Sequence, residues 1–492
     1  MKKGENLTQK TFKGFYWQLS GSLFQTVIQL AVLVILARLI SKTDFGIVQS
    51  ALVVVGLSNL LSQMGVGPAL VQKKELTPLH IRAGATISLM LSITLFLIVF
   101  FGSKLLAGFF KMPELQKVLQ VVAFIFIIEG VSTVSQSLLL REMKQKVLVK
   151  IDLISYSVGY GLVSIVLSYL GFGLWSLIIG QIVQSITKCV LSLIKSKHSI
   201  LPYFGKAESK ELLYYGGGHT LARMFNYLAL QGDNIVTGRY LGADALGIYS
   251  RAYATMVKPV SLIGNSLDKV LFPAMAARQN QPDRLIEAFI NGSRLITFLC
   301  IPISCVLIFS SKEIIYVLLG NKWEDVILPF QILTSGLIFR MGYKMGDCLS
   351  RATGNVYSRA KRQFLYALCV IFGCYAGTKW GIKGVAVGTL FAVAINYILM
   401  IHLSLIILKI NWSYFLKKVL SDLHIALLLS LLFVVIITSV QHIFDSDMVV
   451  LLVSYGLFGG CVLVLFYYFS QKLSFLSILP FNAALGKLKK KS

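Results

Sequence analysis

The residues from Tyr214 to Pro273 read YYGGGHTLARMFNYLALQGDNIVTGRYLGADALGIYSRAYATMVKPVSLIGNSLDKVLFP, and they decide the fold class. Two apolar stretches of membrane-spanning length flank a short turn, which predicts a pair of membrane helices. Both stretches carry several charged side chains. A charge at the bilayer centre costs at least ~2.5 kcal/mol, so these side chains must face something other than lipid.

The polar residues of both helices lie on narrow faces. At 100° per residue, one set falls within roughly 80° of arc on the first helix, namely His219, Arg223, Asn226 and Asp233. A somewhat wider stripe on the second helix consists of Arg251, Thr255, Lys258, Asn265 and Asp268. Two such stripes on neighbouring helices predict a shared polar interior.

The whole composition is that of a polytopic membrane protein. The 492 residues are 56% hydrophobic and 14% charged, with a mean hydropathy of +0.75, whereas soluble proteins carry about 25% charged residues. The net charge of +26 lies mostly in short loops. There it indicates topology and contact with anionic membrane lipids, and nucleic-acid binding is not expected. The seven cysteines lie in or at the ends of apolar spans, without metal-ligand spacing, and indicate small buried residues.

Fourteen spans of suitable length and hydropathy follow one another along the chain. They cover residues 15–37, 45–65, 82–102, 118–139, 152–170, 174–194, 216–238, 246–272, 293–310, 326–348, 362–378, 382–407, 421–440 and 448–470. Lys and Arg concentrate in the loops that share a side with the N-terminus, which predicts that both termini are cytoplasmic.

An internal repeat divides the chain into two lobes. Ala37-Arg38-Leu39-Ile40 and Phe45-Gly46-Ile47 match Gly238-Arg239-Tyr240-Leu241 and Leu246-Gly247-Ile248 at an offset of 201 residues. Further along the chain, Arg141 matches Arg351 at an offset of 210. Six helices per copy imply parallel repeats. The predicted organisation is an N-terminal lobe at 1–194, a cytoplasmic linker at 195–215, a C-terminal lobe at 216–407, and two extra helices with a basic tail at 408–492.

The polar face of the C-terminal lobe has a counterpart in the first helix. One narrow arc holds Gln18, Ser22, Gln25 and Gln29, which align at the same offset with the stripe that begins at His219. We therefore expect an all-α membrane fold with two parallel six-helix repeats around a central cavity. In that cavity the first lobe supplies neutral amides and the second supplies positive charge.

The stretch Asp233 to Tyr253, with its central Leu241-Gly242-Ala243-Asp244 and Gly247-Ile248-Tyr249, resembles the polysaccharide flippase family, as do Arg38 and Asp44-Phe45-Gly46. This is the Wzx-like branch of the superfamily that also includes multidrug exporters and the peptidoglycan-precursor flippase. The resemblance implies flipping of undecaprenyl-diphosphate-linked oligosaccharides across the inner membrane by alternating access. It also implies that the last two helices form a groove for the lipid tail.

Each candidate residue has a chemical reason for its predicted role. Cations suit a diphosphate because Arg binds it bidentately and Lys acts as a point charge; the candidates are Arg223, Arg251, Lys258, Arg340 and Lys344. Amides and hydroxyls both donate to and accept from sugars; the candidates are Gln18, Ser22, Gln25, Gln29, Asn226 and Asn265. Coupling to a proton or sodium gradient requires carboxylates; the candidates are Asp233, Asp268 and Glu129. Two tyrosines, Tyr227 and Tyr253, are candidates for stacking on sugar rings.

Other interpretations stay open at this point. The cations of the second lobe are alternatively structural, paired with Asp233, Asp268 or Asp347. An ion-coupled multidrug exporter of the same fold is the alternative function, and it predicts acidic residues in the cavity. A membrane glycosyltransferase or polymerase would show a large loop with paired carboxylates, and a scaffold for polysaccharide assembly is a further alternative. No nucleotide motif is present, so we expect a transporter without a cofactor. Its partners would be lipid-linked oligosaccharide, membrane lipids and polysaccharide polymerase or export machinery.

Overall fold

The computed structural model describes residues 7–63, 66–73, 75–196, 202–276 and 278–469. Within these ranges, side chains are described except in the following segments: 7–20, 59, 61–63, 206–208, 210, 212–223, 225, 259–270, 272–274, 356 and 463–469. Every regular element in the described ranges is a helix. The prediction of an all-α membrane protein is confirmed.

The chain forms two compact units, Met1–Ser250 and Arg251–Ser492, called here the N-terminal and C-terminal units. The helices that begin in the N-terminal unit are α1 (Leu7–Leu39), α2 (Lys42–Gln63), α3 (Val66–Gln72), α4 (Pro78–Phe110), α5 (Glu114–Val122), α6 (Phe124–Arg141), α7 (Gln145–Tyr156), α8 (Ile165–Tyr169), α9 (Leu174–Ser196) and α10 (Lys206–Ala276). A π-helical segment, Ser157–Ser164, joins α7 to α8. The last of these helices, α10, continues into the C-terminal unit.

The remaining helices belong to the C-terminal unit. They are α11 (Pro282–Phe309), α12 (Ser311–Leu318), α13 (Ile327–Ser335), α14 (Leu337–Ala352), α15 (Val356–Gly377), α16 (Gly381–Leu408), α17 (Trp412–Val419), α18 (Leu423–Ile443) and α19 (Asp447–Phe469). Short 3₁₀ segments precede α13, α16 and α18. Each of the fourteen predicted spans overlaps at least one helix.

Eight helical stretches of the described chain are long and apolar enough to cross a membrane, or nine if the bent pair Asn321–Ser335 and Leu337–Ala352 is one span. One of the eight, Tyr357–Leu408, contains two of the predicted spans. The charged helix α10 is absent from this set because its polar side chains lower its hydropathy. Its two predicted spans are separated at Gly242, where φ is 86° and the helix is interrupted.

The predicted linker at 195–215 is bound to the N-terminal unit. The backbone N–H of Tyr203 donates to Oγ1 of Thr86 on α4 over 2.8 Å, and Nη2 of Arg82 donates to the carbonyl of Pro202. Lys73 and Glu211 form an ion pair. The hydrogen bond and the charge from Lys73 lower the pKa of Glu211. The predicted linker therefore belongs to the N-terminal unit, which extends to Ser250. The predicted lobe boundaries stay a prediction.

The sequence repeat has a structural counterpart where α2 contacts α10. A Cβ on Gly46 would lie 1.7 Å from the carbonyl oxygen of Ala243, and a Cβ on Gly247 would lie 1.9 Å from that of Lys42. Lys42 and Ala243 are 201 positions apart, as are Gly46 and Gly247. Each copy thus presents its glycine to the carbonyl of the other. Such reciprocal contact is the pattern that a two-fold relation between the two segments requires.

Glycines also bring paired helices together within each unit. A Cβ on Gly159 would lie 2.5 Å from the carbonyl oxygen of Gly180, which places the π-helical segment against α9. In the C-terminal unit, a Cβ on Gly388 would lie 2.3 Å from the carbonyl oxygen of Gly373, so α15 and α16 approach equally closely. Small residues at helix crossings are the usual means of close packing in membranes.

Replacing Gly46 or Gly247 by Ala is expected to lower the stability of the protein by about 1–3 kcal/mol, because each new methyl group meets a backbone carbonyl that cannot rotate away. Thermal unfolding of the purified protein in detergent measures the change. The control is Gly102→Ala in α4, where a Cβ would meet nothing within 4 Å. An unfolding temperature for Gly46→Ala and Gly247→Ala no lower than that of the control would contradict the reciprocal contact.

Candidate functional site

A cavity of about 1050 Å³ lies inside the N-terminal unit. Helices α1, α3, α6, α7 and α9 enclose it, and most of its lining side chains are polar. The polar members are Ser22, Gln25, Gln72, Glu129, Ser132, Thr133, Gln136, Ser137, Gln145, Asp152, Ser185, Lys188 and Ser192. An interior of this polarity in membrane helices indicates a binding site for a hydrophilic molecule or a path for ions.

The longest polar wall of the cavity is one face of α6. Its side chains recur at the spacing of a helix face, and the polar members are Glu129, Ser132, Thr133, Gln136 and Ser137. The amide Nε2 of Gln136 donates to Oγ of Ser132 over 2.9 Å, and the hydroxyls of Ser132 and Thr133 donate to the carbonyl of Glu129. Of these five residues, only Glu129 was predicted from the sequence as a candidate site residue. The signal that identifies the other four is the spacing i, i+3, i+4, i+7, i+8 of polar residues along α6.

Three ionisable side chains lie in the cavity. Nζ of Lys188 on α9 lies 2.8 Å from Oδ1 of Asp152 on α7, and the two side chains are 34% and 41% exposed. Glu129 lies close enough to Lys188 for the ammonium charge to act on its carboxylate. The cavity thus combines neutral hydroxyls and amides with one ion pair and one further carboxylate.

The first helix contributes only part of its predicted stripe to the cavity. Ser22 and Gln25 belong to the lining. Gln29 is half-buried one turn further along α1 and lies outside the lining. The side chain of Gln18 lies outside the described residues.

In the C-terminal unit, helices α10 and α14 carry three of the predicted diphosphate ligands. Cζ of Arg340 lies 4.9 Å from the centre of the Tyr253 ring, and its Nη1 donates to the Tyr253 hydroxyl over 2.8 Å. Tyr253 lies between Arg251 and Lys258 on α10, and the positive charge of Arg251 acts on Lys258. At 100° per residue, Arg251 and Lys258 share one face of α10, whereas Tyr253, with Arg340 beside it, lies on another. The name cation cluster is used here for Arg251, Lys258 and Arg340 together. Tyr253, which was predicted to stack on sugar rings, orients Arg340.

Further along α14 the charges are paired. Lys344 lies one turn after Arg340 and is half-buried. Asp347 forms an ion pair with Arg351, whose Nε lies 3.0 Å from Oδ2, and accepts a hydrogen bond from Arg359. These contacts place Asp347 in an ion-pair network at the end of the helix, and removing it would leave two guanidinium groups without this carboxylate.

Asp233 has partners that join the two arms of α10. It is 2% exposed, and its Oδ2 accepts from the hydroxyl of Tyr249 over 2.7 Å. Its Oδ1 accepts from the backbone N–H of Asn234. The two arms on either side of Gly242 are therefore held together by Asp233. On the same helix, the Tyr227 hydroxyl donates to the carbonyl of Val53 on α2, which gives this tyrosine a packing role.

The remaining candidates are less informative. Asn226 is exposed. The side chains of His219, Arg223, Asn265 and Asp268 lie outside the described residues, so their predicted roles stay predictions.

The fold is that of a multi-pass membrane protein. It resembles the solved structure of a lipid II flippase, MurJ, in an inward closed conformation, with a TM-score of 0.74. That similarity covers 92% of this chain and 98% of the flippase at 18% sequence identity, so it shows the fold alone.

Residues 35–328, more than half of the chain, match the model of the polysaccharide biosynthesis protein family, and the chain belongs to this family. Among its relatives, the teichuronic acid biosynthesis protein TuaB of Bacillus subtilis is 22% identical over 89% of this chain and 91% of its own length. The lipopolysaccharide biosynthesis protein WzxC of Escherichia coli is 24% identical over 80% of both chains. The resemblance seen in the sequence is confirmed.

The ion pair Asp152–Lys188 is expected to add less than ~1 kcal/mol to stability, because about a third or more of each side chain is exposed. A double-mutant cycle with Asp152→Asn and Lys188→Met, followed by thermal unfolding, measures the coupling. The matched pair is Arg294–Asp422 in the C-terminal unit, whose side chains are 17% and 16% exposed. Arg294 donates two hydrogen bonds to Oδ2 of Asp422.

The matched pair is expected to couple by about 1.5–3 kcal/mol, the range for hydrogen bonds to charged groups. Stronger coupling in Asp152–Lys188 than in Arg294–Asp422 would show that the cavity pair is a structural element and not part of a binding surface.

Proposed function

We propose that the protein translocates undecaprenyl-diphosphate-linked oligosaccharide repeat units across the cytoplasmic membrane by alternating access, for cell-surface polysaccharide biosynthesis. The observation that carries this proposal is the presence of two chemically different sites. One is a large cavity lined mainly by neutral hydroxyls and amides, and the other consists of the cation cluster. A lipid-linked sugar needs both chemistries, because it combines an uncharged sugar chain with a diphosphate.

The physical problem is the cost of moving polar groups through hydrocarbon. The diphosphate and the sugar hydroxyls must cross ~30 Å of apolar core, where each unsatisfied polar group costs several kcal/mol. A protein lowers this barrier by offering hydrogen bonds and opposite charge along the route. Family membership and relatives named for teichuronic acid and lipopolysaccharide biosynthesis support a glycan substrate.

The cavity of the N-terminal unit is suited to the sugar. Its volume of about 1050 Å³ is at the upper end of the range for sites that hold drug-sized ligands. Gln25, Gln136 and Gln145 each offer both donors and an acceptor. In the predicted topology the lining residues lie toward the cytoplasmic ends of their helices, which is the side on which the substrate would be loaded.

The cation cluster is suited to the diphosphate. An Arg guanidinium binds phosphate oxygens through two parallel hydrogen bonds, and its planar group also stacks on aromatic rings. Tyr253 holds Arg340 by both a ring contact and a hydrogen bond, so less side-chain entropy is lost when an anion binds. Arg223 and Lys344 complete the proposed set.

Transport would be driven by a proton or sodium gradient, and no organic cofactor is required. Of the predicted coupling residues, Glu129 is the one that lines the cavity. We therefore assign it the leading role in coupling. Asp233, which accepts from Tyr249, is assigned to structure.

A multidrug exporter is the second candidate, and one observation favours it. Glu129 and Asp152 place carboxylates in the cavity, as a site for cationic drugs would. Lys188 neutralises Asp152, and the cation cluster would repel a cationic drug, so the flippase is the better-supported function.

The site of action would be the inner membrane, with both termini cytoplasmic. The protein would act alongside polysaccharide polymerase or export machinery.

The first test uses liposomes containing undecaprenyl-diphosphate-linked oligosaccharide, with translocation measured as arrival of the sugar at the opposite leaflet. Arg251→Gln, Lys258→Gln and Arg340→Gln are each expected to slow translocation about tenfold or more, because a hydrogen bond to a charged group contributes ~1.5–3 kcal/mol. Arg278→Gln, at an exposed position between α10 and α11, is the control and should transport normally. Normal rates in all three cluster variants at normal protein levels would refute the diphosphate site.

The second test separates the sugar from the diphosphate. Gln25→Leu and Gln136→Leu remove cavity hydrogen bonds and are expected to slow translocation of the full oligosaccharide several-fold, since each lost bond is worth ~1 kcal/mol. The same variants should move undecaprenyl diphosphate without sugar at the normal rate. Equal slowing of both lipids would show that the cavity does not bind the sugar. Uptake of a cationic dye without any lipid movement would establish the exporter instead.

A further inference from the structure

One carboxylate in the C-terminal unit is buried away from both sites. Glu313 lies in the first turn of α12 and is 4% exposed. Its Oε1 accepts a hydrogen bond of 2.7 Å from Nε2 of Gln441 on α18. Its Oε2 is buried and has no hydrogen-bond partner among the described residues. No Lys, Arg or His of the described chain forms an ion pair with it.

The groups around Glu313 are neutral oxygen-bearing groups from several helices. Oγ of Ser310, at the end of α11, lies 2.8 Å from the hydroxyl of Tyr455 on α19. Nε2 of Gln331 on α13 donates to Oγ of Ser311 over 2.7 Å. The one lysine next to it in sequence, Lys312, is exposed, with its ammonium 5.7 Å from the ring centre of Tyr316. The site therefore offers oxygen ligands without a balancing positive charge.

The helix ends near Glu313 leave its charge largely unbalanced. The N-terminus of α12, in whose first turn Glu313 lies, carries a partial positive charge, and the C-terminus of α11, which ends at Phe309, carries a partial negative charge of similar size. The two partial charges largely cancel, so the full negative charge of the carboxylate stays uncompensated. The first-turn amides of α12 donate no hydrogen bond to Oε2. An ionised carboxylate buried with a single hydrogen bond costs several kcal/mol unless a positive charge accompanies it.

We propose that Glu313 is the carboxylate ligand of a sodium site at the junction of α12, α18 and α19. Sodium is a hard cation and takes oxygen ligands, as carboxylate, hydroxyl and helix C-terminal carbonyl groups provide. The predicted topology puts this junction at the outer face of the membrane. The bound ion would hold the last two helices, α18 and α19, against the preceding repeat.

The apolar packing of the same helices shows what the ion would stabilise. Phe433, Ile437 and Val440 of α18 form a buried cluster with Val450 of α19, and Val306 of α11 packs against it. This cluster joins the three helices in the membrane, while Gln441 and Tyr455 form polar links to the segment at Ser310 and Glu313. Loss of the ion leaves an uncompensated charge under these links and is expected to weaken the attachment of α18 and α19.

The test is thermal unfolding of the full-length protein in detergent, without substrate, at constant ionic strength as sodium chloride replaces choline chloride. The unfolding temperature is expected to rise with the logarithm of sodium concentration, by about 2 °C per tenfold. Glu313→Gln keeps the shape of the side chain and its contact with Gln441 but is expected to abolish the sodium dependence. Glu324→Gln removes an exposed carboxylate from the segment that follows α12 and should keep the full dependence.

A second pair of variants keeps the test decisive if Glu313→Gln does not fold. Tyr455→Phe and Gln441→Leu leave the carboxylate in place and are expected to shift the midpoint of the sodium effect several-fold upward. The sodium site is overturned if the wild-type unfolding temperature does not respond to sodium, or if Glu313→Gln responds as the wild type does. A response to pH alone would assign the balancing charge to a proton and would also overturn it. Because no substrate is present, these outcomes are independent of the transport assay.

Discussion

The contact that most constrains the fold is the one in which two helices exchange glycines. At the crossing of α2 with the second arm of α10, the carbonyls of Lys42 and Ala243 occupy the space where a Cβ of Gly247 and Gly46 would lie. A backbone carbonyl cannot move aside as a flexible side chain can, so this contact fixes both helices along their axes. The polar stripes on the neighbouring helices are therefore held at a fixed position along the helix axes. The two copies are thus free to differ in the chemistry of their stripes but not in these glycines.

The difference in chemistry is visible on α6 and α14, which align at the offset of 210 residues. Thr133 and Ser137 of the cavity wall correspond to Tyr343 and Asp347. On α6 the polar side chains are small hydroxyls and an amide beside one carboxylate. On α14 they are long cationic and acidic groups. Of the five cavity-wall positions on α6, only Ser137 aligns with a charged residue. The cations of α14, Arg340 and Lys344, align with apolar positions of α6 outside the cavity lining. The two units therefore differ in which face of this helix carries polar groups.

Hydropathy and charge were sufficient to predict the helices, because burying charge in lipid is so costly that few other arrangements exist. They were insufficient for the cavity wall. Serine and threonine in membrane helices often bond to their own backbone, as Ser132 and Thr133 do, so their types alone do not distinguish packing from binding. Asp233 was equally ambiguous, because its partner Tyr249 lies 16 residues away, beyond the interruption at Gly242.

The arginines of the C-terminal unit are held by different kinds of group. Arg294 pairs with an aspartate of its own, while Arg351 and Arg359 share a single aspartate, so those three groups keep one net positive charge. Tyr253 contributes a ring face and a hydroxyl to Arg340. A ring stabilises a guanidinium by a cation–π contact and fixes its orientation, so less side-chain entropy is lost when an anion binds. This orientation, which no count of charges along the sequence reveals, is the physical basis for placing the diphosphate beside Arg340.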